Sequence, residues 1–237
     1  MTEQFQAIYE HGNIHGFSVS VVDAEQVLYQ NSFGYANVKE QKAYSHETKQ
    51  PMASISKTLV GISLLKAQEL GKLHLDDPIN QHLPFPVRNP SFPNTDITIR
   101  HLAQHSSSIV DPDFYDAHSY FLNNNDHLTS TTPTKVPEYF NPPEDQITLE
   151  EFIKQMLYSE EGTCCRATFL NEKPGTVYRY SNGATTLAAV VLEAATGMSF
   201  VDFTQKYIFA PLDMSASSWN AEDTDATLYY DGDTVFA

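Results

Sequence analysis

Residues 54 to 70 carry apolar side chains nearly all round a helical projection (Ile55, Leu59, Val60, Ile62, Leu64, Leu65, Leu70) and stop at Gly71, a residue that accepts the left-handed geometry of a helix end. A helix with so little polar face is expected to be buried on all sides, so the pattern predicts a central helix around which the rest of the chain packs. At its start stands Ser54-Ile55-Ser56-Lys57. Residues three apart share a helical face, so the Lys57 amine can reach the Ser54 hydroxyl, the geometry of a serine nucleophile activated by a lysine. A second match, Ser63-Leu64-Leu65-Lys66, begins nine residues later. At about 100° per residue it points to the opposite face, so at most one of the two is a site. Position favours Ser54. It follows Pro51-Met52-Ala53, where unsatisfied backbone N–H groups and the positive dipole end favour an ionising nucleophile and a developing oxyanion. Ser63, flanked by Ile62, Leu64 and Leu65, is expected to return a hydrogen bond to its own backbone.

Elsewhere the patterns are those of a mixed chain. Phe17, Val19 and Val21 alternate with Ser18 and Ser20 as a half-buried strand, and Val27 to Tyr35 is its expected antiparallel partner after a turn at Asp23 to Gln26. Thr98 is placed to cap a short helix through Gln104. Thr148 with Glu151 forms a capping box for a helix bearing Leu149, Phe152, Ile153, Met156 and Leu157. A further helix is predicted from about Ala184 to Thr196, stopping at Gly197, and Ser199 with Asp202 opens another that ends before Pro211. Between Asp111 and Gln146 turn-formers replace periodicity, and with Tyr115, Tyr120, Phe121, Tyr139 and Phe140 the stretch is expected to be a lid or cleft wall.

From Thr48 to Pro84 the chain reads TKQPMASISKTLVGISLLKAQELGKLHLDDPINQHLP, which resembles the nucleophile segment of class C β-lactamases and their penicillin-binding-protein-like relatives: D-alanyl-D-alanine carboxypeptidases, D-aminopeptidases and esterases. Three further stretches stand in the order that family requires. They are the hairpin Phe17 to Val38, ITIRHLAQHSSSI from Ile97 to Ile109, and Pro174 to Phe200, whose Tyr180-Ser181-Asn182 resembles the family's tyrosine-x-asparagine motif. The resemblance implies an α/β (α+β) fold of the β-lactamase/transpeptidase type, an antiparallel sheet flanked by helices plus a helical lobe. It also implies residue roles: Ser54 the acylated nucleophile, Lys57 lowering the cost of its deprotonation, Tyr180 the relay of the proton as general base and then general acid, and Asn182 a hydrogen-bonding partner of a substrate carbonyl or amide. Lys57 works either as a neutral amine or as a cation depressing the hydroxyl's pKa. The implied activity is that of a serine hydrolase forming an acyl-enzyme on an ester, a D-amino-acid peptide or a β-lactam, with no cofactor.

Two departures matter. The family's third motif, Lys or His followed by Ser or Thr and then Gly, occurs nowhere in the 237 residues. The expectation is therefore a partial domain: a sheet hairpin over residues 1–50, a mainly helical lobe over 51–220 with the lid-like loop at 111–147, and at 221–237 the start of a C-terminal part whose strands are missing. The alternatives are a non-catalytic penicillin-binding-like fold and a truncated inactive fragment whose exposed sheet edge would self-associate. In addition, Ser106-Ser107-Ser108 stands where relatives end in Ser-Gly, and without the glycine that best tolerates positive φ the turn is expected to be rebuilt.

A net charge of −16 argues against binding a phosphate backbone, and no run approaches the roughly eighteen apolar residues of a membrane span. The N-terminus MTEQFQAIYEHG shows no basic-then-apolar signal, so the chain as given reads as unexported, and the compartment stays open. Adjacent Cys164 and Cys165 read as free thiols. His101 and His105, like His11 and His15, have metal-ligand spacing without a convincing third ligand, and the Asp111, Asp113, Asp116 cluster reads as a solvated acidic loop rather than a calcium site. The expected partner is a small-molecule or peptide substrate.

Overall fold

The computed structural model describes residues 1–12, 14–121, 141–158, 166–220, 223, 228–230 and 234–236. Among these, Met1–Met52 together with the residues from Ala216 onward make one compact unit, and Ala53 to Ser215 make the other.

The first unit is built on the predicted hairpin. Strand β1 (Gly16–Val22) pairs antiparallel with β2 (Val27–Asn37), with Phe17 opposite Phe33 and a register shift between Val21 and Val22. The Asp23 carboxylate accepts the N–H groups of Glu25 and Gln26, both at 2.8 Å, and these bonds close the turn and hold the carboxyl below its ordinary pKa. A short β3 (Lys42–Ala43) continues the sheet in the order β1-β2-β3. The N-terminal segment, which the sequence patterns left unassigned, is helix α1 (Thr2–His11). Phe5 seats it on the sheet, with ring centroids 6.0 Å from both Tyr29 and Phe33. A separate two-stranded pair joins β4 (Leu228–Tyr230) to β5 (Thr234–Phe236).

The second unit is helical: α2 (Lys57–Glu69), α3 (Ile99–Ala103), α4 (Asp113–His118), α5 (Leu149–Leu157), α6 (Asn182–Thr196) and α7 (Phe200–Thr204). The caps follow sequence chemistry. Thr98 accepts the His101 N–H, and the His101 ring returns the favour to the Thr98 N–H, the task usually given to Glu or Gln. Thr148 accepts the Glu151 N–H, Ser199 accepts the Asp202 N–H, and Gly197 ends α6 at φ 69°. Past α7 the chain widens into one π-type turn, Gln205–Phe209, that the sequence did not signal.

The central helix is α6 rather than α2. Helix α6 packs against α2, α3, α5 and α7 and buries Gly183, Ala184, Leu187, Ala188, Ala189, Val190, Val191 and Leu192, residues from both of its faces. Small side chains at Gly183, Ala184, Ala188 and Ala189 let neighbours approach from every side. Helix α2 buries only Ser63, Leu64 and Ala67, and Ile55, Ile62 and Leu65 stand exposed, Ile55 at 61%. Its uninterrupted apolar composition suggested burial; among the described residues it is covered along one stripe.

In the turn after α3 a serine stands at a left-handed position. Ser108 itself takes φ 65°, a conformation that costs a non-glycine residue about 1 kcal/mol or more. The buried Asn89 amide offsets that cost by donating to the Ser108 hydroxyl at 2.9 Å and to the Leu170 carbonyl at 2.8 Å, tying three segments together. The expected lid begins as a helix: on α4, Phe114 and Tyr115 both pack on Phe152 of α5 with centroids 5.6 Å away. Tyr139 and Phe140, like Cys164 and Cys165, lie outside the described residues.

Ser63 does not bond to its own backbone. Its hydroxyl is fully buried and has no hydrogen-bond partner among the described residues, while Lys66 turns to Glu69 at 3.1 Å. An unpaired buried hydroxyl is a liability, so Ser63→Ala is expected to stabilise the protein by up to about 1 kcal/mol, raising Tm by about 2–4 °C. A fall in Tm of that size would show that the hydroxyl holds a partner.

Candidate active site

One 3-10 turn, Ala53–Ser56, leads directly into α2 and carries Ser54 at the helix N-terminus. Ala53 adopts φ 45°, a left-handed conformation unusual for alanine, so the backbone is strained at the residue immediately before the serine. The Lys57 Nζ donates to Ser54 Oγ at 3.0 Å, and Ser54 Oγ lies 3.0 Å from the Tyr180 hydroxyl. The Tyr180 hydroxyl in turn donates to Asn182 Oδ1 at 3.1 Å. All four side chains singled out from sequence thus form one hydrogen-bonded group within the Ala53–Ser215 unit. Lys57 Nζ also sits 5.3 Å from the centre of the Tyr180 ring.

The direction of these bonds follows from what each group can do. The serine oxygen accepts from the Lys57 amine. A protonated Tyr180 has one proton to share between Asn182 Oδ1 and Ser54 Oγ, and in the bond between the two hydroxyls either oxygen can be the donor.

The extended segment before α6 places Tyr180 and Asn182 on one side, two residues apart, and what fixes it is Asp111. The Asp111 carboxylate accepts from Ser181 Oγ at 2.7 Å, from the Asn182 N–H at 2.8 Å, from Asn182 Nδ2 at 2.9 Å and from the Gly183 N–H at 2.9 Å. It closes the N-terminus of α6, where backbone N–H groups are unpaired and the dipole favours an anion. The reading of Asp111 as part of a solvated acidic loop is corrected here: a residue remote in sequence is folded onto the helix end. No local pattern carried that signal, although Ser181 as the cap of α6, accepting the Ala184 N–H at 2.9 Å, was legible in principle.

His105, at metal-ligand spacing from His101 in the sequence, serves the fold instead. At φ 53° it turns its ring against Tyr180, centroids 4.7 Å apart, and its Nδ1 accepts the Ser181 N–H at 3.3 Å. Its carbonyl accepts the Arg179 N–H at 2.7 Å. Burial, and next the nearby Lys57, lower the His105 pKa, with Asp111 opposing. Tyr180 titrates below a normal phenol because Lys57 first and the Ser54 hydroxyl second stabilise its ionised form; desolvation and Asp111 act against them. With His101 and His105 committed to backbone N–H groups, no group of three His, Cys, Asp or Glu among the described residues is arranged to hold a metal ion.

The sequence profile of the beta-lactamase family matches residues 1–235. The chain belongs to the beta-lactamase family. Penicillin-binding protein 4* of Bacillus subtilis (strain 168) is 30% identical over 216 residues, covering 90% of this chain. The chain spans 40% of that relative's length. Among solved structures, the octameric penicillin-binding protein homologue from Pyrococcus abyssi superposes with a TM-score of 0.70 at 22% identity, over 99% of this chain and 48% of that one. A beta-lactamase/D-alanine carboxypeptidase from Pseudomonas syringae gives 0.69 at 19% identity, over 100% and 56%. At these identities the structures speak for the β-lactamase/transpeptidase-like fold, mixed helix and antiparallel sheet, as the motif order implied. Among the described residues no single helix is long and apolar enough to cross a membrane.

A pH dependence follows from the two histidines. Burial lowers the pKa of both His101 and His105, so the folded chain holds them neutral at a pH where the unfolded chain begins to protonate them. The unfolded state then binds more protons, and stability falls as pH drops below about 6.5 toward the folded values. Tm is expected to decline between pH 7.5 and 5.5, and His101→Gln/His105→Gln should flatten that slope. An unchanged slope in the double variant would assign it to other groups.

Proposed function

We propose that this chain carries the acyl-transfer half-site of a serine hydrolase, with Ser54 as nucleophile, Lys57 and Tyr180 as its proton-transfer partners and Asn182 as the group that orients Tyr180 and meets the substrate. The observation that carries the reading is Ser54 Oγ held at 3.0 Å from both the Lys57 amine and the Tyr180 hydroxyl. In the acylation step, with Tyr180 ionised beside the Lys57 cation, a bond forms from Ser54 Oγ to the substrate carbonyl carbon, the serine proton passes to the phenolate oxygen, and the bond to the leaving group breaks as the phenol delivers that proton to it. Water then attacks the acyl-enzyme, losing its proton along the same route, and releases the acid. The helix N-terminus at Ser54 offers backbone N–H groups and a positive dipole end to the developing oxyanion.

The proposed substrate class is an ester, a D-amino-acid peptide or a β-lactam. The Pseudomonas syringae structure is described as a beta-lactamase/D-alanine carboxypeptidase, which supports the last two. Asn182 Nδ2 gives one proton to Asp111 and keeps the other, enough for one hydrogen bond to a substrate carbonyl. Self-association is a further proposal, supported by the octameric Pyrococcus abyssi homologue and by β1, the outer strand of its three-stranded sheet.

An activated p-nitrophenyl ester or a fluorescent penicillin, followed by peptide mass mapping, should place the adduct on Ser54. Ser54→Ala should abolish it and Ser63→Ala should not; an adduct on any other residue would contradict the assignment. Lys57→Ala and Tyr180→Phe are each expected to slow acylation by at least about a hundredfold, the usual scale for a lost proton-transfer group. A stable adduct that never turns over would instead favour a penicillin-binding role without hydrolysis.

A further inference from the structure

We propose that His105 is a positioning residue: as a neutral ring with its proton on Nε2, it holds the segment that presents Tyr180 and so keeps the Tyr180 hydroxyl within reach of Ser54 Oγ. The inference rests on the acyl-transfer reading of this site and deepens it.

The segment before α6 has few fixings of its own. Val177 to Tyr180 are exposed and belong to no strand. Of the backbone N–H groups from Val177 to Ser181, those of Arg179 and Ser181 have partners among the described residues, and both partners are on His105. The Arg179 N–H donates to the His105 carbonyl at 2.7 Å, and the Ser181 N–H donates to His105 Nδ1 at 3.3 Å. Tyr180 lies between these two bonds, its ring against the imidazole at a centroid distance of 4.7 Å and an angle of 34°. The Tyr178 ring meets the same imidazole edge-on at 6.0 Å. One side chain and its carbonyl thus fix Tyr180 at the backbone on either side and at the face of its ring, while the phenol oxygen stands 3.0 Å from Ser54 Oγ.

Two features suit His105 to this task. Its left-handed backbone, φ 53°, lets carbonyl and ring reach the same stretch of chain, a conformation that persists only where the surroundings impose it. The second feature is the tautomer. A backbone N–H can only donate, so Nδ1 offers its lone pair and the ring proton sits on Nε2. Protonation would place another N–H at Nδ1, pointing at that of Ser181, and the bond would be lost.

The charged and titratable groups facing the ring are Lys57 of α2, Asp111 from the segment after α3, and Tyr178 and Tyr180 before α6. Burial and next Lys57 disfavour the imidazolium, Asp111 favours it, and the balance lies with the neutral ring. The contact therefore holds at neutral pH and is released in acid, at a midpoint below the ordinary histidine value of 6.5.

Two variants separate the ring from the backbone it stands on. His105→Asn tolerates positive φ and offers an acceptor oxygen near the Nδ1 position, but has neither a ring nor a titrating group. His105→Gly keeps the backbone conformation and the carbonyl and removes the side chain. Near neutral pH, acylation of Ser54 by p-nitrophenyl acetate is expected to slow about tenfold to a hundredfold in His105→Gly, the scale of a misplaced reacting group, with His105→Asn between it and the parent protein. A side chain that serves stability alone would lower Tm and leave the acylation rate of the folded protein unchanged, so a His105→Gly rate equal to the parent's would overturn the proposal.

The release in acid is read by NMR without turnover. In the full chain, with tyrosine 13C-labelled and serine 15N-labelled, the Tyr180 ring and the Ser181 amide bonded to its carbonyl are both assigned by their loss in Tyr180→Phe. The two are expected to shift together, with one midpoint below 6.5. That shared step should vanish in His105→Asn and persist in His101→Gln, where glutamine can take over the return bond to the Thr98 N–H. A step that survives in His105→Asn, or is missing from the parent protein, would overturn the proposal. Failure of the parent protein to acylate would refute the proposed function, and the shared step would still decide whether His105 holds this segment. Should His105→Gly fail to fold, the titration of His105→Asn carries the test.

Discussion

The N-terminus of α6 is closed by a carboxylate from another part of the chain, and the arrangement of the candidate site depends on that contact. Four donors converge on Asp111, two of them backbone N–H groups that a helix end would otherwise leave to water. The same contact fixes where α6 begins and which way Asn182 faces. Because α6 is the most buried helix of its unit, packed against α2, α3, α5 and α7, an error of placement at its first turn would propagate into the core. Stability and site geometry are thus joined at one group.

The segment from His105 to Asp111 brackets the Tyr180 loop from two sides. His105 lays its ring on Tyr180 and takes the Ser181 N–H, while Asp111 takes the next two backbone N–H groups. The bracket is itself strained and pinned: His105 and Ser108 both sit at positive φ, and the buried Asn89 amide fixes Ser108. Two left-handed residues, Ala53 immediately before Ser54 and His105 against Tyr180, border the candidate site, as expected where geometry is held at some cost in backbone energy. Glycine at the Ser108 position would relieve the strain but supply no hydroxyl for Asn89.

Much of this was legible in sequence where the cause is local. The β1–β2 hairpin follows from alternation around a turn that Asp23 closes, and the caps at Thr98, Thr148 and Ser199 follow from side chains bonding N–H groups three residues on. Ser54 and Lys57 meet because three residues is nearly one helical turn. Joining them to Tyr180 and Asn182 needed the order of motifs, since no spacing rule links positions so far apart. What stayed hidden was long-range or compositional. Asp111 looked like one more acidic loop residue because its partners are remote, and α2 looked buried because composition counts apolar residues without knowing how many neighbours the fold supplies. His101 and His105, spaced like metal ligands, turned out to serve backbone N–H groups.

The central claim is that Lys57 and Tyr180 act on one proton, that of Ser54, and not as two independent aids to catalysis. A double-mutant cycle on Ser54 acylation by p-nitrophenyl acetate, using Lys57→Ala, Tyr180→Phe and the double variant, tests this most directly. Groups that act as a unit are strongly non-additive, so the double variant is predicted to acylate about as slowly as the worse single variant. Losses that multiply, with the double variant slower by the product of the two single effects, would contradict a shared proton path and separate the two residues.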